Sequence, residues 1–169
     1  MNDSINTATP DWERRLKALL PLYGHRNWIV VSDSAYPAQS KPGIETLVAG
    51  EDQIDVARKV LDAISECKHV RANVYVDKEL GFVDEIDAPG ISEYQIQLGA
   101  LLAGASAKQL PHEQIIAKLD QSAQVFRVLI IKTNMTIPYT SVFFELDCGY
   151  WSAEAEQRMR AAIEAAESK

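Results

Sequence analysis

Apolar residues recur along this chain in two ways, as short unbroken runs and as stripes at helical spacing. Ile29, Val30 and Val31 make the clearest run, bounded by Gly24 before it and by Ser32, Ser34 and Pro37 after it. Such a run predicts a buried strand with a loop at each end. Val125 to Ile131 predicts a second buried strand and Thr140 to Leu146 a third, led in by Pro138. Asn73 to Val76 reads as another strand, and Ile44 to Val48 as a short apolar strand or turn. Helical spacing is strongest over Glu51 to Cys67, where Ile54, Ala57, Val60, Leu61 and Ile64 share one face. Trp12, Leu16, Leu19 and Leu20 mark an earlier helix, with Thr9 as its expected cap, Pro10 at its first position and Pro21 at its end. Ser92 to Ala103 and Pro111 to Asp120 are two more helices. A last helix runs from Ser152 to Glu167, and its face of Ala155, Met159, Ala162, Ile163 and Ala166 is expected to pack on the domain's own sheet. Ala38 to Gly43 and the acidic Asp77 to Gly90 are loops.

Helices alternate with strands, and neither a linker nor a repeat interrupts them. The prediction is one domain over residues 1–169, an α/β fold in which a single mixed β-sheet is covered by helices. Residues 1–8 are expected to form a flexible tail and 151–169 a C-terminal helical extension.

Composition narrows the partners. A net charge of −7 argues against nucleic acid or an anionic membrane surface, both of which select a basic footprint. The N-terminus, MNDSINTATPDWERR, has no apolar segment of the secretory kind, and no apolar run approaches a membrane span. Cys67 and Cys148 are too few for a disulfide framework, so a reduced cytoplasmic protein is expected.

Several chemistries are set aside by the residues. Gly99 to Ser106 has the glycine spacing of a phosphate loop, but Ala105 stands where the lysine must be and the segment lies in a helix pattern. A dinucleotide fingerprint and a G-x-S-x-G nucleophile elbow are both missing from the sequence. His25, His69 and His112 have no paired metal-ligand spacing, so no metal site is expected.

What remains is a set of polar residues at strand margins, where loops on a rigid scaffold carry function. His25 precedes the Ile29–Val31 run and Asp33 comes after it, eight residues on. They are either a helix-exit residue and a loop cap, or an acid/base histidine and a carboxylate that orients it or binds substrate hydroxyls. His112 comes after Pro111 at the positive end of a predicted helix, a position suited to a base and equally to an exposed helix-start residue. Tyr139, between Pro138 and a buried strand, can stack on a sugar face or simply pack on a neighbouring loop. Ser141 and Lys132 flank the same corner, and Arg26 adjoins His25. Glu145 and Asp147 read as sheet-end residues rather than a catalytic pair, and His69 as structural. Asp77 to Leu80 reads as a solvated loop from which Glu79 could reach a site.

Gly24-His25 with Asp33 eight residues on, Pro37 soon after, His112-Glu113-Gln114, and a late Pro138-Tyr139 entering the last strand together resemble the D-ribose pyranase / L-fucose mutarotase family. The resemblance spans Leu16 to Gly149. It departs from the family's habit at Ser141, where an asparagine is usual, and at Thr133-Asn134-Met135, where Thr-Gly-Glu is common. His112 lies 27 residues ahead of Tyr139, farther than is usual, and the helix after Tyr150 is an addition.

The resemblance implies a cofactor-independent isomerase that interconverts ring forms or anomers of a free monosaccharide. It also implies a ring-shaped homo-oligomer, often a decamer, with each site shared between neighbouring subunits. By that match His25 is the acid/base histidine, Asp33 its polar partner, His112 a second site histidine and Tyr139 a sugar contact; beside them Ser141 and Lys132 are expected to help hold the sugar, and Arg26 either meets a sugar hydroxyl or is a surface charge. A sugar or sugar-phosphate binder without catalysis on the same scaffold is the alternative, and an assembly protein built around the C-terminal helix is a third.

Overall fold

In the computed structural model, which describes residues 9–168, α1 (Asp11–Leu19) leads into β1 (Trp28–Ser32), β2 (Ile44–Val48) and α2 (Gln53–Ser65). Next come β3 (Val70–Asp77), α3 (Ile91–Leu102), β4 (Lys108–Leu110), α4 (His112–Ser122), β5 (Val128–Lys132), β6 (Val142–Cys148) and α5 (Ala153–Glu167). The tail expected over residues 1–8 lies outside the described residues.

The strands form one six-stranded sheet in the order β2-β5-β1-β6-β3-β4. β1 pairs parallel with β5, β5 with β2, and β3 with β4, whereas β6 is antiparallel to both β1 and β3. Five strands therefore point one way and β6 alone runs against them. That arrangement gathers the carboxyl ends of five strands and the entry to β6 along one edge of the sheet. In open α/β sheets this is the edge at which ligands bind.

β1 is buried along its whole length, since it is central and covered on both faces, and this explains its unbroken apolar run. Alternate side chains feed two cores. Ile29, Val31, Leu129, Ile131 and Phe144 face α1, α2 and α3, while Trp28, Val30, Val128, Ile130 and Phe143 face Ile115 and Leu119 of α4. Trp28 stacks on Tyr75 with ring centroids 5.8 Å apart, tying β1 to β3 across β6. α2 starts cleanly because the Asp52 carboxylate accepts from the backbone N–H groups of Ile54 and Asp55.

Four local expectations change. Thr9 does not cap α1; Pro10 occupies the cap position and no side chain supplies the bond. Val125 is exposed in the turn that closes α4, where Phe126 N–H bonds back to Ser122, so β5 begins only at Val128. The acidic stretch after β3 winds into a 3-10 turn over Lys78–Phe82, and β4, a short polar edge strand, lies outside the apolar pattern. Finally, α5 buries no residue: Met159 and Ile163 are exposed, and both cores are closed without it. Its apolar face does not pack on the domain's own sheet. Among the described residues no helix is long and apolar enough to cross a membrane.

Candidate functional site at the carboxyl edge of the sheet

β3 ends in Asp77 and Asp33 directly follows the last residue of β1, so both aspartates lie at the carboxyl edge of the sheet. The loop after β1 folds back on Asp33, whose Oδ1 accepts from the Ala35 N–H at 2.9 Å. Asp33 to Pro37, His112, Ile116 and the 136–139 corner line a cleft of about 550 Å³. Its size and its mixture of apolar walls with a few polar groups fit a small ligand.

His112 opens α4 directly after β4. Its backbone N–H donates to both oxygens of Glu79, at 3.1 and 3.0 Å, so Glu79 satisfies a helix-start donor from the 3-10 turn. Its ring Nδ1 lies 3.0 Å from Asp77 Oδ1. With the carboxylate accepting, Nδ1 carries the proton and Nε2 is left free as a base. Asp77 is only 1% exposed, and its second oxygen has no partner among the described residues. Burial pushes the Asp77 carboxyl above its ordinary value, and the hydrogen bond and charge of His112 offset this only in part.

Tyr139 sits edge-on to His112, with centroids 5.6 Å apart, and is 41% exposed at the cleft. Its φ of 59° lies in the left-handed region, uncommon for a bulky side chain and typical of over-determined functional corners. The corner is held from behind by a buried polar network. Thr133 Oγ lies 2.9 Å from the Ser32 carbonyl and 2.8 Å from Gln53 Oε1. The Gln53 amide N–H donates to the Tyr94 hydroxyl and to the Thr140 carbonyl, which also accepts from Tyr94. One cluster thus ties the end of β1 to the entrance of β6 and sets the spacing of Asp33 and Tyr139.

The fold brings Asp33, His112 and Tyr139 together and leaves the other candidates elsewhere. Ser141 is 3% exposed at the foot of β6. Lys132 ends β5 beside Ser32 but does not line the cleft. His25 and Arg26 lie at the opposite edge of the sheet, separated from Asp33 by the length of β1, about 17 Å. There His25 Nδ1 meets Asp147 Oδ1 at 2.9 Å, and Arg71 holds the other oxygen of Asp147 at 2.8 Å. Arg26 Nε reaches His25 Nε2 at 3.2 Å, and its guanidinium lies over the Phe126 ring. Within one chain His25 and Asp33 do not meet.

Asp77, Gln53 and Thr133 do not stand out in the sequence as site residues. Asp77 does carry a signal: VYVD ends a buried run in an aspartate, as VVSD does. Gln53 and Thr133 carry none, since a polar residue inside a helix and one after a strand look solvated until the core closes over them.

An open α/β sheet with a carboxylate-paired histidine over a cleft at its carboxyl edge has the architecture of small-molecule α/β proteins. Within that class the chain belongs to the RbsD / FucU transport protein family, whose profile matches residues 9–149. No curated protein sequence matches it. Its fold is similar to that of Bacillus subtilis RbsD, solved with D-ribose, at 18% identity and a TM-score of 0.57, covering 79% of this chain and 91% of that one. It is also similar to the Streptococcus pneumoniae fucose mutarotase, solved with L-fucose, at 17% identity and a TM-score of 0.52, covering 82% and 92%. FucU from Bifidobacterium longum matches at 13% identity and 0.52, covering 79% and 92%.

Proposed function

We propose that this protein is a cytoplasmic, cofactor-independent isomerase that exchanges the ring forms or anomers of a free monosaccharide. The observation that carries the proposal is the Asp77–His112 pair at the mouth of the cleft, with Tyr139 and Asp33 beside it. Ring opening needs a proton taken from the anomeric hydroxyl and another delivered to the ring oxygen; the free aldehyde then turns and recloses. His112 Nε2 serves as the base, and Asp77 stabilises the imidazolium that forms. Asp33 keeps an oxygen for a sugar hydroxyl, and Tyr139 offers a ring face and a hydroxyl.

His25 joins this chemistry from a neighbouring subunit. Supporting this, His25 is exposed, is held in place by Asp147, and lies too far from its own cleft to act there. A homo-oligomer that sets the His25 edge of one subunit against the cleft of the next completes the site.

The test is anomer and ring exchange followed by NMR over a panel of free aldoses. The parent protein is expected to accelerate exchange of at least one sugar, and His112→Asn to lower the rate by roughly 10²- to 10⁴-fold. Exchange no faster than in buffer for every sugar would defeat the proposal. The alternative is a sugar binder without catalysis on the same scaffold, and the same experiment separates the two. The binder predicts saturable sugar binding with no exchange, and binding unchanged in His25→Asn.

A further inference from the structure

Beside His25 the chain leaves the span matched by the family profile. Gly149 N–H donates to the His69 carbonyl at 2.9 Å, and a Cβ on Gly149 would stand 2.8 Å from the Lys68 carbonyl and 2.9 Å from the Val70 nitrogen. The exit from β6 is therefore pressed against the start of β3, and only glycine allows it. From Gly149 onward the chain is directed back over the His25 edge. His25, Arg71, Asp147, Trp151 and Glu156 line a pocket of about 560 Å³ there.

Trp151 is the notable member. Of the three tryptophans, Trp12 and Trp28 are buried, at 4% and 0% exposure, while Trp151 is 44% exposed. Its indole N–H donates to Glu156 Oε2 at 2.8 Å, and Glu156 is braced in turn by Arg160. The edge of the ring is thus anchored while the ring stays open to solvent. A fixed, partly exposed indole beside hydrogen-bonding groups of both signs suits a molecule with one apolar face and a rim of hydroxyls. His25 and Arg71 are matched in number by Asp147 and Glu156, so the pocket has no excess of positive charge with which to select a phosphate.

We infer that Trp151 is a sugar-binding residue of this chain, the platform on which the apolar face of an unphosphorylated aldopyranose stacks beside His25. The inference rests on the proposed role of His25 in sugar exchange. It makes the C-terminal addition part of the site: the subunit that lends His25 lends Trp151 with it.

The experiment uses the full chain, titrated with D-ribose, L-fucose, D-galactose and D-ribose 5-phosphate while tryptophan emission and NMR exchange are both read. A free sugar is expected to change the emission saturably, and Trp151→Phe to abolish that change because the other two indoles are buried. Trp151→Ala is expected to raise the half-saturating sugar concentration for exchange by roughly tenfold or more with maximal rate little altered, while Trp151→Phe retains most of the affinity. Emission that moves only with the phosphate overturns the assigned substrate class. Exchange that proceeds with unmoved emission and an unaltered half-saturation in Trp151→Ala overturns the inference and leaves the isomerase standing. A saturable emission change without any exchange leaves Trp151 in place and removes the isomerase. Silence in both readouts removes both.

Discussion

Asp77 holds its partner at a cost to the fold. One oxygen orients His112 and the other is buried without a partner among the described residues, so the charged carboxylate is poorly solvated where it stands. Its pKa is higher folded than unfolded. The favourable contribution of the protonated form is therefore complete below the ordinary value near 3.8 and is lost as pH rises through the folded value. At pH 7 the ionised group destabilises the protein. Asp77→Asn is expected to melt at the same temperature as the parent or higher at pH 7, with the advantage shrinking as pH falls toward 3.8. The same variant should lose roughly tenfold or more in exchange rate, because an amide neither stabilises an imidazolium nor enforces one tautomer. A lower melting temperature at pH 7 with full activity would contradict this role for Asp77.

At the scale of elements, the cleft depends on two loops being held at a fixed separation, and beyond the single bond from the Ser34 N–H to the Met135 carbonyl, at 2.8 Å, side chains must set it. Thr133, Gln53, Tyr94 and the Thr140 carbonyl do this from inside the core. Thr133→Val keeps the shape but strips Gln53 Oε1 of its donor and Met135 N–H of its acceptor. The expected loss is about 1–3 kcal/mol in denaturant unfolding, the usual penalty for a buried polar group left unpaired, together with reduced exchange activity. The element pattern is largely legible in the sequence. Continuous runs mark β1, β5 and β6 because these strands are central, and a 3.6-residue stripe marks α2. The misjudged elements are those whose state depends on neighbours. β4 is polar and held only by pairing with β3. The Val125 turn is apolar yet exposed. α5 has an apolar stripe whose supposed partner faces are already filled.

At the scale of the whole molecule, the distance between His25 and the cleft becomes a statement about assembly. If neighbours share each site, two separately inactive variants rescue one another. His25→Asn and His112→Asn subunits, unfolded and refolded together in equal amounts, are expected to regain about a quarter of parental exchange, because one site in four draws both histidines from intact sources in a random closed assembly. The same variants refolded apart and then mixed should stay inactive for as long as subunits do not exchange. Activity in His25→Asn alone at the parental rate would remove His25 from the chemistry.

By itself the sequence determined the α/β class, the central strands, α2, the family resemblance, and the candidacy of Asp33, His112 and Tyr139. Each of those comes from local periodicity or from short motifs, which a chain carries with it wherever it folds. Only the tertiary structure decided which candidates meet. A histidine and an aspartate eight residues apart look like partners, but the strand between them is straight, so it carries them to opposite edges of the sheet. Asp77 and His112, 35 residues apart, become partners because parallel pairing of β3 with β4 ends both strands at one edge. Burial then turned two ordinary-looking residues, Asp77 and Gln53, into the supports of the site.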